Sequence, residues 1–183
     1  PSVPAKNLRE FVALAKQNPG KMAFSSSGSG GSPHLAGELL KLRANIDMIH
    51  VPYKGAAPAM SDLLGGQVQM SFQTALSAIP HLKSGKLNVI AVASKKRMGT
   101  LPHVPTMAEA GIADFEVSSW NGLFAPAKTP PHIVNALYNA TIKAINTQDI
   151  RDKMEAQGAE PVGSSPEEFK AFVKAEIDKW EQV

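Results

Sequence analysis

Apolar residues in the first half of the chain alternate between two spacings. Leu8, Phe11, Val12 and Ala15 keep a helical period within residues 5–18, and Pro19-Gly20 stops it. Residues 21–24 read as a short strand. Residues 35–42 read as a helix with Leu35, Leu39 and Leu42 on one stripe and Glu38 and Lys41 elsewhere. Residues 46–51 form the next strand, ended by Pro52, and residues 58–64 a short helix ended by Gly65-Gly66. Val68, Met70 and Phe72 alternate on one face of a strand over residues 68–72. A helix over 76–83 follows. Residues 87–93 are then nearly all apolar, as a strand covered on both faces should be. Strand and helix in repeated succession predict an α/β fold with a parallel sheet and right-handed crossovers. Ligands of such sheets sit beyond the carboxyl ends of the strands. Four loops converge there: residues 25–32, 52–57, 73–75, and the segment from Ser94 onward.

The texture changes after residue 94. Lys95-Lys96-Arg97 is a solvated charge run, residues 101–106 are extended, and residues 107–110 give a helical turn closed by Gly111. Residues 115–126 read as a long crossing strand. Pro130-Pro131 opens a helix through Ile133, Leu137, Ile142 and Ile145, and residues 150–157 form another that ends at Gly158. Ser164 or Ser165, followed by Pro166-Glu167-Glu168, starts a last helix through Phe169, Phe172, Val173, Ile177 and Trp180. These tail helices carry large apolar stripes that need a sheet to cover them, and the tail alone hardly supplies one.

A chain of 183 residues suffices for one large domain or two small lobes. The net charge of +3 comes from interleaved acids and bases without a basic block, which argues against nucleic acid as a partner. No apolar run approaches the roughly 20 residues of a spanning helix. Residues 1–6 show no charged-then-apolar leader pattern, which leaves export open. The absence of cysteine removes disulfides, thiolate catalysis and thiolate zinc sites.

The chemistry concentrates in Ser25-Ser26-Ser27-Gly28-Ser29-Gly30-Gly31-Ser32-Pro33-His34, between a strand and a helix. Glycines allow a ligand close to the backbone, and the helix dipole favours negative charge. Ser32 reads as the N-cap, with Pro33 at the first helical position. The expected ligand is a small anion, most simply a carboxylate, held by N–H groups and hydroxyls of Ser27, Gly28, Ser29, Gly31 and Ser32. Composition alone would favour a flexible Gly/Ser linker, but linkers rarely sit between a strand pattern and a capped helix. Thr74 and Ala75, after the third strand, form a second donor set by position. Tyr53 reads either as a ligand contact or as packing; Lys54 as a solvated lysine rather than a charge in the site; His34, a donor either to the ligand or to a neighbouring loop, as structural; and Trp120 as hinge packing rather than ligand stacking. No nucleophile elbow, phosphate-loop motif or complete dinucleotide fingerprint is present. The histidines at 34, 50, 81, 103 and 132 show no i, i+4 pair, so neither metal nor cofactor is expected.

Four blocks carry a family resemblance. They are the run 27–37; Val51-Pro52-Tyr53-Lys54-Gly55 through Met60 with residues 62–68; residues 101–106 with Glu109-Ala110-Gly111; and Trp120-Asn121-Gly122-Leu123-Phe124-Ala125-Pro126 with Thr129-Pro130. In this order they resemble the substrate-binding proteins of tripartite tricarboxylate transporters, the Bug-type bacterial receptors. The resemblance implies a type II periplasmic-binding-protein-like architecture whose two α/β lobes close on a small carboxylated solute. It also implies a periplasmic location and membrane transporter subunits as partners. Residues 1–116 would be the second lobe, and residues 117–183 the returning segment that completes the first. The first lobe of the family opens with its own strand and glycine-rich loop, which nothing here matches, so a truncated form with an uncovered, self-associating tail face is expected.

Of three functions that the residues allow, the first leads. It is a receptor delivering a carboxylate to a transporter. The second is an effector-sensing lobe of a regulator, and the third an enzyme acting on an anionic substrate. A receptor needs neither nucleophile, base nor metal, because its solute is released unchanged.

Overall fold

The structure is a computed structural model that describes residues 3–156 and 159–183, with Leu76 described by its backbone alone. By its contacts the chain divides into two units, one running to Ser119 and the other spanning Trp120–Gln182.

The first unit opens with α1 (Leu8–Gln17), where the Asn7 side chain accepts from the Glu10 N–H at 2.9 Å and the Glu10 carboxylate accepts from the Lys6 N–H at 2.7 Å. This reciprocal cap satisfies donors at the helix start. Then come β1 (Ala23–Ser26), α2 (Ser32–Ala44), β2 (Ile49–Pro52), α3 (Ala56–Leu64), β3 (Met70–Ser71) and α4 (Ala75–Lys83). The strands form one parallel sheet in the order β2-β1-β3. Alternation along β1 sends successive side chains to opposite faces. Phe24 packs so closely on Gly37 of α2 that a Cβ at Gly37 would overlap its ring. On the other face the Ser25 hydroxyl lies 3.5 Å from the Ala59 carbonyl of α3. The sheet is therefore sandwiched, and its core includes Leu8, Phe24, Leu39, Leu40, Met48 and Met70.

Two strands expected from the sequence do not form. Over residues 87–93 there is only one parallel bridge, Val92 to Thr106, closed by Val92 N–H to Pro105 O and Met107 N–H to Val92 O, both 2.9 Å. Of residues 115–126, Phe115 is buried and the Val117 N–H bonds Ala93 O at 2.9 Å, while residues 118–126 are irregular and exposed. Apolar content gives a segment the means to be a strand, but the ladder requires a partner strand, and none is present among the described residues.

The second unit holds α5 (Pro131–Ile145), α6 (Gln148–Ala156) and α7 (Pro166–Trp180). The expected helix end at Gln157 and Gly158 lies outside the described residues. Of the two candidate serines, Ser165 is the cap and forms a capping box with Glu168. The rings of Trp120, Phe124, Phe169 and Phe172 gather in edge-on and stacked contacts, and the Glu176 carboxylate accepts from Trp120 Nε1 at 3.3 Å and Trp180 Nε1 at 3.1 Å.

Candidate functional site

Because the sheet is parallel, the loops after Ser26, Pro52 and Ser71 leave it at one edge. The β2-β1-β3 order also makes the connections diverge beside β1, the place where α/β sheets bind ligands. The loop of residues 27–31 lies here and leads directly into α2. It is tied to the second loop by Tyr53 N–H to Ser26 O at 3.0 Å and Gly55 N–H to Ser27 O at 3.2 Å. Gly28 has φ 146° and Gly30 φ 79°, conformations that favour glycine. The stretch is thus an anchored turn between strand and helix, not a tether.

Its donors divide into two sets. The Gly28 N–H is taken up by Ser26 Oγ at 3.3 Å and the Gly30 N–H by His34 Nδ1 at 3.1 Å. Among the described residues, the N–H groups of Ser27, Ser29, Gly31 and Ser32 meet no protein acceptor, and neither do the hydroxyls of Ser27, Ser29 and Ser32. Ser27, Ser29 and Gly31 are exposed and Ser32 half-buried. Open donors at a helix N-terminus, with the dipole behind them, can hold an anion.

One expectation here needs correction. Ser32 is not the N-cap: Gly31 takes that position, extended at φ −80° and ψ 166°, and Ser32 is the first helical residue. The backbone turns one residue earlier, so the Ser32 hydroxyl is not spent on a cap. Thr74 is the N-cap of α4 and Ala75 its first residue; Thr74 is exposed, with its hydroxyl 3.1 Å from that of Ser77. The Tyr53 hydroxyl donates to Asp62 of α3 at 2.6 Å, a bond that pushes the phenol pKa up. That proton is therefore already engaged. Lys54 is exposed.

Sequence reasoning missed Ser26 and His50. Register places His50 of β2 beside Phe24 of β1, with ring centroids 4.9 Å apart. His34 stacks on its other side at 3.9 Å with a 27° interplanar angle. His50 Nε2 lies 2.6 Å from the hydroxyl of fully buried Ser26. Burial first, then the neighbouring His34, lowers the His50 pKa, and Lys41 adds to this while Glu38 opposes it. A serine so close to an imidazole invites comparison with a nucleophile and its base. Ser26 has no exposed surface, however, and no carboxylate hydrogen-bonds His50 among the described residues. The signal that could have found the pair is the strand's period of two, but it needs the register, which sequence does not supply.

Among the described residues, no group of three or more histidine, cysteine or acidic side chains could hold a metal. A separate concavity of about 330 Å³, lined by Lys6, Leu82, Leu87, Asn88, Val89 and His103, includes none of the turn residues.

Known proteins share this architecture along the entire chain. The family model described as "Tripartite tricarboxylate transporter family receptor" matches residues 1–183. BugT of Bordetella pertussis is 35% identical over 183 residues, all of this chain and 56% of its own length. A solved Rhodopseudomonas palustris protein with adipate superimposes at a TM-score of 0.88 and 34% identity, covering 99% of this chain and 60% of that one. MatC from the same organism, with bound malate, gives 0.85 and 32%, covering 98% and 62%. The fold is that of periplasmic binding proteins. The chain spans about half the length of the curated relatives it matches. The matched turn, the parallel sheet beneath it and the family model agree over one continuous stretch, and the chain belongs to the tripartite tricarboxylate transporter receptor family.

Proposed function

We propose that this chain carries the carboxylate-gripping part of an extracytoplasmic receptor, which captures a small dicarboxylate and delivers it to a tripartite membrane transporter. The observation that carries this reading is the row of open N–H groups at Ser27, Ser29, Gly31 and Ser32, at the start of α2. Thr74 and Ala75 add donors from the third loop, and the Tyr53 backbone ties the second loop to the first. Each hydrogen bond to a charged group is worth about 1.5–3 kcal/mol, so several account for roughly micromolar binding without a buried cation. Solved relatives that hold adipate and malate support a ligand with two carboxylates. A receptor releases its solute unchanged and so needs neither nucleophile nor base.

In this reading residues 1–116 are the second lobe and residues 117–183 return to the first, with the contact break after Ser119 in support. A periplasmic location follows from the receptor role, and no helix among the described residues is long and apolar enough to cross a membrane. Calorimetric titration with adipate and malate, on the protein that carries this chain in full, tests the proposal. Saturable heat with an affinity at least tenfold weaker in Gly28→Val is expected; no heat with any four- to six-carbon dicarboxylate would overturn it.

A further inference from the structure

The ligand-facing donors are only half of the turn. The other half faces inward, onto two histidines. Resting on the carboxylate reading above, we infer that His34 and His50 are positioning residues: as a stacked neutral pair they lock the turn with its free N–H groups outward, and anion capture weakens as they take up protons.

Hydrogen-bond polarity defines the state of each ring. The Ser26 hydroxyl has one proton, which it donates to Gly28 O at 2.9 Å. It must then accept from its other neighbours, the Gly28 N–H at 3.3 Å and His50 Nε2 at 2.6 Å. With that proton on Gly28 O, His50 carries its hydrogen on Nε2. One buried side chain thus holds both the N–H and the carbonyl of Gly28, the residue at φ 146°. The Gly30 N–H donates to His34 Nδ1 at 3.1 Å, which needs a lone pair there and puts the hydrogen of His34 on Nε2, 3.9 Å from a Glu38 carboxylate oxygen.

The stack joins the two halves of this lock, since the imidazole centroids lie 3.9 Å apart and Phe24 closes the far side of His50. The charged groups facing the pair are Glu38 and Lys41 of α2, themselves paired at 2.9 Å, while β1 presents only Phe24 and Ser26. A proton on His34 Nδ1 would set one donor against another at Gly30. A second proton, on His50, would place two cations in contact. The first step releases the Gly30 peptide from its acceptor, while the second leaves the His50 contact with Ser26 in place and acts through charge alone.

The test combines NMR of the apo protein with adipate binding measured from pH 8 down to 5. Both imidazoles should appear as Nε2–H tautomers at pH 8, and the Gly30 amide signal should follow the imidazole titration. His34→Asn puts an amide oxygen where Nδ1 stood and does not titrate. It should keep the Gly30 signal and flatten its pH dependence. His34→Phe keeps the stack but loses the acceptor, and should weaken adipate binding about tenfold at pH 8, the loss of roughly one hydrogen bond. An Nδ1–H tautomer of His34, a Gly30 amide indifferent to pH, or equal affinity of parent, Asn and Phe variants at every pH would overturn the inference. If the parent protein binds neither adipate nor malate, the receptor reading fails, and the tautomers and the Gly30 titration still decide the positioning claim.

Discussion

The two units of this chain solve the problem of burial very differently. Every buried apolar side chain among the described residues lies between Ala5 and Phe115. The second unit has well-capped helices and an aromatic cluster, yet its Leu137 is 45% exposed, Phe172 41% and Ile177 55%. Capping and helical period are local properties and are satisfied in both. A core requires a second layer, and the parallel sheet provides one only in the first unit. The candidate site is built on that cored unit, where its turn is held between β1 and α2.

The largest expected contrast is in stability. Phe24→Ala removes a fully buried ring and should cost about 3–5 kcal/mol in denaturant unfolding, whereas Phe172→Ala should cost well under half of that. Equal losses would mean that the second unit is as well cored as the first. Next in size is a contrast within the turn itself. Gly28→Val, at φ 146°, forces a conformation that costs on the order of 1–3 kcal/mol and should weaken adipate binding at least tenfold. Gly31→Ala, at φ −80° with its nearest neighbour 3.8 Å from the added Cβ, should bind nearly as the parent does. If the two variants behave alike, turn geometry is not what matters.

Association should be a smaller effect. The exposed apolar side chains of the second unit predict concentration-dependent self-association, read by sedimentation velocity, and Ile177→Glu should reduce it. A species that stays monomeric across a hundredfold range of concentration would count against it. The smallest effect concerns pH. The pKa of His50 lies below its usual 6.5 in the fold, chiefly through burial, so the unfolded chain binds the proton first. Its contribution to stability is complete above about 6.5 and is lost as the pH falls through the depressed folded value. His50→Gln should flatten that slope in thermal unfolding; an unchanged slope would remove His50 from the account.

Much of this was legible in the residues. The helices announced themselves by period, by Pro19-Gly20 and by the serines before Pro166, and the parallel sheet by the alternation of strand and helix. The turn at residues 27–31 was legible because glycine and serine fell between a strand and a helix. Three things were not. Residues 87–93 and 115–126 have strand composition, but pairing is a property of neighbours and not of the segment. The cap moved from Ser32 to Gly31 because the backbone, not the side chain, chose where the helix starts. The contact between His34 and His50 depends on the register of β1 against β2, which no local pattern encodes.

Titration of the protein with adipate, followed by the backbone amide signals, asks whether main-chain donors hold the acid group. The amides of Ser27, Ser29, Gly31 and Ser32 should move downfield together and saturate, while those of α5 to α7 remain in place. Saturable binding that leaves these four amides where they were would contradict it.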